Sequence, residues 1–143
     1  MKGVLIVKAI VPEVYVSDCR TALDFYQEIF GGEIRNLQVS DNLEMFKKYE
    51  NKIIHSELHV SSRCIFYFLD ILDKKRENIG NVTLMLHLHT KTELERVYKG
   101  LSRGGKVSME MQKTFNGQYH AILTDRFDVS WALNFSPKNI RAK

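Results

Sequence analysis

The chain has 143 residues, of which 44% are hydrophobic and 27% charged, with a net charge of +4. This length and composition are those of one globular domain with an ordinary core. The longest apolar runs are too short to cross a bilayer, and the first residues lack the layout of a signal peptide. The sequence therefore predicts a single cytoplasmic domain, residues 1–143, with no membrane partner.

The positive charge is scattered and is not interleaved with aromatic residues. It is interpreted as solvated surface, and no nucleic-acid partner is predicted; a basic nucleic-acid-associated protein is the weak alternative. Cys19 and Cys64 lie far apart without a CxxC partner, which indicates two free thiols in a reduced compartment. Cys19 lies at a helix start, where it is either a small filler or a thiol of lowered pKa.

The first half of the chain begins with a strand pattern at residues 10–16. Asp18 then provides an N-cap, and Ala22, Tyr26 and Ile29 follow at helical spacing. The helix is predicted to end at Gly31-Gly32, because glycine adopts the left-handed conformation that ends a helix. Three further strand patterns follow, at 33–39, 53–60 and 63–69, with a polar loop at 42–52.

The second half repeats this order. A strand pattern at 82–89 precedes the capping box formed by Thr90 and Glu93, and the helix is predicted to end at Gly104-Gly105. Three strand patterns follow, at 106–111, 117–123 and 129–135.

The spacing inside the two helices shows that the halves are repeats. Asp18 precedes Tyr26 by eight residues and Thr90 precedes Tyr98 by eight, and the two halves are offset by 72 residues. The sequence therefore predicts an α+β fold of two βαβββ modules, at residues 4–70 and 82–136, with a linker at 71–81.

Four stretches carry a resemblance to a known family: SDCRTALDFYQEIFGGE (17–33), HSEL (55–58), VYKGLSRGGKVSM (97–109) and TDRFDVSWALNF (124–135). With the paired modules, they resemble the PhnB-like branch of the vicinal oxygen chelate superfamily, which includes glyoxalase I, bleomycin-resistance proteins and extradiol dioxygenases. The resemblance covers nearly the whole chain. It implies curled mixed sheets with helices on the convex side, a concave ligand cavity and a homodimer.

The chain departs from that branch at three positions. The branch usually has an aromatic residue where Asn116 stands, a small residue at His120 and glycine at Asp128. Aspartate adopts positive φ more readily than most residues, so the turn at Asp128 is expected to survive. Both Gly-Gly pairs follow helices, so they are interpreted as helix ends and not as phosphate-binding loops.

Strand alternation divides the side chains between the core and the cavity. Trp131 is expected in the core, as is the apolar face of the strand at 82–89, which consists of Val82, Leu84, Leu86 and Leu88. The residues expected to bind a ligand in the cavity are Glu13, Tyr15, His55, Glu57, His59, Met85, His87, His89, Ser130 and Asn134.

The resemblance implies a divalent metal held on the first and last strands of each module. At the corresponding positions stand Val11, Thr83 and Ala132, while the fourth-strand position lies within residues 66–68. Valine and alanine cannot coordinate a metal, and a lone threonine is a poor ligand. No metal and no cofactor are therefore predicted. The cavity-facing His and Glu residues could form a relocated metal site or simply be hydrogen-bonded, and Glu13 and His87 could form an ion pair or a general base.

Two functions are compatible with this sequence. The first is a metal-free small-molecule binding protein that acts by sequestration, as bleomycin-resistance relatives do. The alternative is a lyase, isomerase or dioxygenase, metal-dependent or Glu-based, that acts on a small oxygen-rich substrate. Whether the protein is an enzyme is left open and no catalytic residue is assigned, because this fold carries both binding proteins and enzymes.

Overall fold

The computed structural model describes residues 7–73, 80–114 and 117–137. The first module contains β1 (Glu13–Val16), α1 (Cys19–Phe30), β2 (Glu33–Val39), β3 (Ile53–Ser61) and β4 (Cys64–Asp70). The second contains β5 (Leu84–His87), α2 (Lys91–Ser102), β6 (Lys106–Lys113), β7 (Tyr119–Thr124) and β8 (Ser130–Phe135). The predicted order of βαβββ, repeated once, is confirmed.

Each module forms its own four-stranded mixed sheet. The first-module sheet, called sheet A, has the order β1-β4-β3-β2, and the second-module sheet, called sheet B, has the order β5-β8-β7-β6. In each sheet the first strand of the module pairs in parallel with the last strand, and the other pairings are antiparallel. The two sheets therefore have the same topology, as expected for a duplicated unit.

The caps that the sequence predicts are the ones that begin the two helices. The Asp18 side chain accepts from the Thr21 amide at 3.2 Å and begins α1. The Thr90 hydroxyl oxygen accepts from the Glu93 amide at 3.0 Å and begins α2. Each cap satisfies a backbone donor that has no partner inside the helix.

The second glycine of each Gly-Gly pair lies close against a neighbouring strand. A Cβ on Gly32 would overlap the His59 carbonyl oxygen, and a Cβ on Gly105 would overlap the Thr124 carbonyl oxygen. Gly32 also has a φ of +89°, which strains any side chain. The pairs therefore end the helices, and they allow β2 and β6 to start in close contact with β3 and β7, respectively.

One aromatic core joins the two modules. Tyr26 of α1 stacks on Phe68 of β4, with ring centroids 4.6 Å apart, and lies 6.0 Å from the ring of Trp131 on β8. Trp131 also meets Phe66 edge to face at 5.7 Å. Trp131 is fully buried, as predicted. Because first-module and second-module rings share this cluster, the two modules have one common core.

A buried carboxylate organises the polar atoms of this core. Asp125 is 2% exposed. Its Oδ2 accepts from the Tyr26 hydroxyl at 2.6 Å and from Trp131 Nε1 at 2.8 Å, and its Oδ1 accepts from the Phe127 and Val129 amides. Burial, and then the Asp125 carboxylate, raise the pKa of Tyr26 well above its usual value. This network was not predictable from the local sequence.

Some predicted boundaries differ from the observed ones. Strands β1 and β5 are shorter than predicted, and Val82 precedes β5 with 70% of its surface exposed, so its assignment to the core is wrong. The predicted loop at 42–52 contains two short 3₁₀ turns. Most of the predicted linker, and Asn116, lie outside the described residues. Asp128 has a φ of +64°, so the turn survives without glycine, as expected.

Candidate functional site

The candidate site lies on the open face of sheet A, which is the face turned away from the helices. Strand pairing places Glu13, Tyr67, Glu57 and Arg35 in one row across its four strands. Residues paired across a sheet present their side chains on the same face. The alternate residues Phe66 and Phe68 are buried in the core, while Tyr67 and Glu57 are only partly buried. This face therefore presents charged and aromatic groups that the core does not cover.

Glu57 is the centre of the polar cluster on this face. Its Oε2 lies 2.7 Å from Nε2 of His55, and its Oε1 lies 2.7 Å from Nε2 of His59. The three side chains are 13%, 27% and 20% exposed, respectively, so each retains access to solvent. The His55 ring meets the Tyr67 ring edge to face, with centroids 4.8 Å apart.

Hydrogen bonds keep the Glu57 carboxylate ionised. The bonds from His55 and His59, with a further one from Asn36, lower the pKa of Glu57 to about 2. Asn36 has a φ of +53° and lies where the pairing of β2 with β3 shifts register between Arg35 and Gln38. A β-bulge of this kind re-aims a side chain, and here it directs Asn36 towards Glu57.

The corresponding row of sheet B has the opposite character. It consists of Met85, Ala132, Ile122 and Met109, all apolar. Beside it, Asn134 lies between two imidazoles: its Nδ2 is 3.5 Å from His87 Nδ1, and its Oδ1 is 3.5 Å from His120 Nδ1. The two modules share a fold but have diverged in the chemistry of their open faces.

A groove of about 850 Å³ runs beside β1. Its walls include three of the predicted binding residues, Glu13, Tyr15 and Ser130, together with apolar side chains such as Leu84 and Phe127. The Tyr15 hydroxyl donates to Glu13 Oε1 at 2.8 Å. The volume of the groove is in the range of small-molecule pockets.

The ten predicted binding residues are thus divided among several places. His55, Glu57 and His59 form the cluster on β3, and His87 lies beside Asn134 in sheet B. Met85 borders a smaller pocket of about 270 Å³. His89 follows the end of β5, and its backbone amide donates to Glu93. The prediction that His89 lies on a strand face is therefore wrong.

Glu13 and His87 have different partners. Glu13 accepts from Tyr15, and His87 lies by Asn134. The two side chains therefore belong to separate hydrogen-bonded groups, and they do not form the carboxylate–imidazole pair that was considered from the sequence.

The residues at the positions where the resemblance places a metal do not fit one. Val11 and Ala132 have no donor atom, and Thr83 precedes β5 with an exposed side chain. On β4 the open-face residue between Phe66 and Phe68 is Tyr67, a phenol. Within the described parts of the chain, no three or more His, Cys, Asp and Glu side chains are arranged to hold a metal ion.

Sequence reasoning missed Tyr67 and Arg35 as members of the open face. The alternation of Ile65, Tyr67 and Leu69 with buried phenylalanines did carry a signal for Tyr67. Alternation around Ile34, which packs against the core, carried a similar signal for Arg35, because the pairing of β2 with β3 stays in register from Glu33 to Arg35. His120 was noted only as a departure from the family.

The cysteines are not candidates for chemistry. Both are free, as predicted. Burial raises the pKa of the Cys19 thiol to about 12 and also raises that of Cys64. Thiols of raised pKa are poor nucleophiles at neutral pH, so Cys19 is a buried filler at the start of α1.

The fold is that of a glyoxalase-like protein. The family model described as "Glyoxalase/Bleomycin resistance protein/Dioxygenase superfamily" matches residues 7–133. The chain therefore belongs to this superfamily, and the family prediction is confirmed.

Individual relatives agree with this assignment. Protein YjdN of Escherichia coli K12 is 24% identical over 132 residues, covering 84% of this chain and 89% of YjdN. The structure of protein PA1353 from Pseudomonas aeruginosa superposes with a TM-score of 0.79 at 28% identity, over 89% of this chain and 96% of PA1353. A PhnB protein from Bacillus cereus, described as a 3-demethylubiquinone-9 3-methyltransferase, superposes with a TM-score of 0.76 at 20% identity, over 90% of this chain and all of its own.

Across the described residues, no helix is long and apolar enough to span a bilayer. The predicted cytoplasmic location stays a prediction.

Proposed function

We propose that this protein binds a small molecule without a metal, and that the open face of sheet A carries the polar part of the binding site. The observation that carries the proposal is the cluster of His55, Glu57 and His59 beside the Tyr67 ring. It provides a few fixed polar groups next to an aromatic ring, and such groups orient ligands in small-molecule sites; Glu13 of the same row borders the groove.

The chemistry of the metal positions supports the metal-free part of the proposal. Val11, Thr83 and Ala132 replace the strong ligands that the family's metal chemistry requires. The Glu57 oxygens are already bonded to two imidazoles. A metal that used Glu57 would therefore compete with at least one of these imidazoles for a carboxylate oxygen.

A thermal-shift screen of small organic molecules, run in the presence of a chelator, tests this proposal. Compounds that stabilise the protein should lose their effect in Tyr67→Leu and His59→Ala variants. Tyr98→Leu, on α2, is the matched control, since Tyr98 packs against the core and not on the open face. If stabilising compounds act only after metal is added, or act equally on all variants, the proposal is wrong.

An enzyme is the second candidate, and one observation favours it. A carboxylate that orients an imidazole is the arrangement of a general base, and Glu57 orients two. Such a base fits a lyase or isomerase acting on a small oxygen-rich substrate. Mass spectrometry of the stabilising compounds after long incubation separates the two functions: a binding protein returns them unchanged, and an enzyme converts them.

The methyltransferase description of the Bacillus cereus protein is not part of this proposal. That structure is 20% identical to this chain, which supports the fold alone. The sequence has no GxGxG loop after a strand, and both of its Gly-Gly pairs follow helices.

We further propose that the protein is a homodimer whose contact borders the sheets. The edge strands β1 and β5 each pair on one side only. Near them, Ile10, Val82 and Met85 are 90%, 70% and 50% exposed. Exposed apolar side chains around open strand edges favour an interaction with a second copy.

A further inference from the structure

Glu57 contacts two imidazoles through the same ring nitrogen of each. Nε2 of His55 and Nε2 of His59 each lie 2.7 Å from one of its oxygens. With its pKa near 2, Glu57 is ionised at neutral pH. An ionised carboxylate only accepts hydrogen bonds, so both Nε2 atoms must carry a hydrogen.

We propose that Glu57 fixes both histidines in the Nε2–H tautomer, so that their Nδ1 atoms are the hydrogen-bond acceptors that the site offers to its ligand. The class of ligand that this arrangement takes carries N–H or O–H donors, above all an ammonium group attached to an apolar or aromatic body. An oxyanion lacks the hydrogen that a free Nδ1 requires. This inference rests on the proposed function, since it assigns the chemistry of the ligand at the same face.

The charges around the cluster favour a cation. The row that contains Glu57 also contains Glu13, and the row's cation, Arg35, is paired with Glu33 at 3.1 Å. The strands of sheet A therefore place the carboxylates of Glu13, Glu33 and Glu57 on its open face, together with the guanidinium of Arg35. An ammonium ligand is attracted to such a face, whereas a carboxylate ligand is repelled.

The Tyr67 ring next to the cluster fits the apolar part of such a ligand. Tyr67 presents an aromatic ring on the same face and lies in the same row as Glu57. An ammonium group over the face of a tyrosine ring gains a cation–π attraction. The ligand's apolar body can therefore pack beside Tyr67 while its N–H groups bond to Nδ1.

Sheet B provides a comparison inside the same molecule. Asn134 also lies between two imidazoles, but an amide has one donor side and one acceptor side. Its Nδ2 donates to His87 Nδ1 and its Oδ1 accepts from His120 Nδ1. With the Asn134 amide in this orientation and both rings neutral, His87 has its hydrogen on Nε2 and His120 has its hydrogen on Nδ1. A carboxylate between two imidazoles thus gives both rings the same tautomer, whereas an amide between two imidazoles gives the two rings different tautomers.

Nitrogen-15 NMR of the five histidines at neutral pH tests the tautomers directly. We expect both His55 and His59 to have hydrogen on Nε2 and a free Nδ1. In Glu57→Gln, the new amide can accept from one ring but must donate to the other, so one of the two rings should change to the Nδ1–H form. The His87 and His120 signals should not change. An Nδ1–H form, or a fully protonated ring, at His55 or His59 in the wild type would overturn the proposal.

A pair of probes of equal size tests the class of ligand. Benzylamine carries an ammonium group at neutral pH, and benzoate carries only acceptors. Followed through the His55, His59 and Tyr67 signals, benzylamine should bind at least about tenfold more tightly than benzoate, as expected for a charge-assisted hydrogen bond. The difference should narrow in Glu57→Gln. Glu44→Gln, in a 3₁₀ turn of the loop between β2 and β3, is the control for a loss of negative charge.

The results of the two tests separate this inference from the proposed function. Equal or tighter binding of benzoate, or no binding of either probe in the millimolar range, overturns the assigned ligand class. Compounds found by the thermal-shift screen would still show that the open face binds small molecules. Conversely, correct tautomers in a protein that no compound stabilises would refute the proposed function but not the geometry of the pair.

Discussion

Trp131 shows how much of this fold depends on a single side chain. It is fully buried, meets rings from α1 and β4, and donates to the buried Asp125 carboxylate at 2.8 Å. It thereby connects the last strand of the second module to the first module. A large aromatic residue in such a position contributes through packing and through the hydrogen bond that it completes.

Replacing Trp131 with alanine should lower the free energy of unfolding by about 3–5 kcal/mol, as for other large-to-small changes in a core. Ser130→Ala is the matched control, because Ser130 precedes Trp131 on β8 but faces the groove. Thermal or urea unfolding of both variants measures the difference. A Trp131→Ala protein that unfolds with the wild type, beside a destabilised Ser130→Ala protein, would mean that the faces of β8 are inverted.

Glu57 should make stability depend on pH in the acid range. Its pKa is lowered from 4.5 to about 2 in the folded protein. The folded state therefore holds its proton less tightly than the unfolded state, so the stability from Glu57 is fully present above pH 4.5 and is lost as the pH falls towards 2.

Urea unfolding at a series of acid pH values, compared between the wild type and Glu57→Gln, measures this contribution. The wild type should lose stability more steeply over that interval. Parallel curves for the two proteins would contradict the hydrogen bonds assigned to Glu57.

The identity of the site residues was only partly predictable from the sequence. The HSEL motif and strand alternation were enough to place His55, Glu57 and His59 on one face, since alternation is local. Their mutual contacts were not predictable, because two residues of one strand reach each other only when their rotamers allow it. Asn36 joins the cluster through a bulge with positive φ, which arises from pairing with β3 and leaves no mark in the local sequence.

At the scale of elements, both helices were predicted almost to the residue and the first strands were not. The cap at Asp18 and the capping box at Thr90 act within one turn, so the sequence alone specifies them. The ends of β1 and β5 depend on where β4 and β8 stop pairing with them. That information lies more than 40 residues away in the chain.

The close approach at the second glycine of each pair predicts the effect of a single methyl group. Gly105→Ala should lower the free energy of unfolding by about 1–3 kcal/mol, because the Cβ would overlap the Thr124 carbonyl and force β6 away from β7. Gly80→Ala is the control, since nothing lies within 4 Å of a Cβ there. Urea unfolding measures both. Equal stability of the two variants would contradict the packing described for the Gly-Gly pairs.

In the molecule as a whole, the two modules have the same topology but carry different side chains on their open faces. The row of Glu13, Tyr67, Glu57 and Arg35 in sheet A corresponds to the apolar row of Met85, Ala132, Ile122 and Met109 in sheet B. The repeat was visible in the sequence because the caps and glycines of both halves are retained. The difference between the rows became visible only when the strand register was known.

The proposed homodimer should be sensitive to charge on the apolar row of sheet B. Light scattering at micromolar concentration should give the mass of two chains for the wild type. Met85→Asp should shift the mass towards one chain, because it adds a charge to a half-exposed apolar row beside an open strand edge. Met45→Asp is the control, since Met45 is 79% exposed in a 3₁₀ turn. A monomeric wild type, or a dimer that both variants leave unchanged, would contradict the proposed contact.

Elemental analysis of protein purified without a histidine tag measures whether the protein carries a metal. We expect less than about one-tenth of an equivalent of zinc, nickel, iron or manganese, because Val11, Thr83 and Ala132 stand where the resemblance places the metal ligands. A near-stoichiometric metal that disappears in a His55→Ala/His59→Ala or a His87→Ala/His89→Ala double variant would rule out metal-free binding and favour a metal-dependent enzyme.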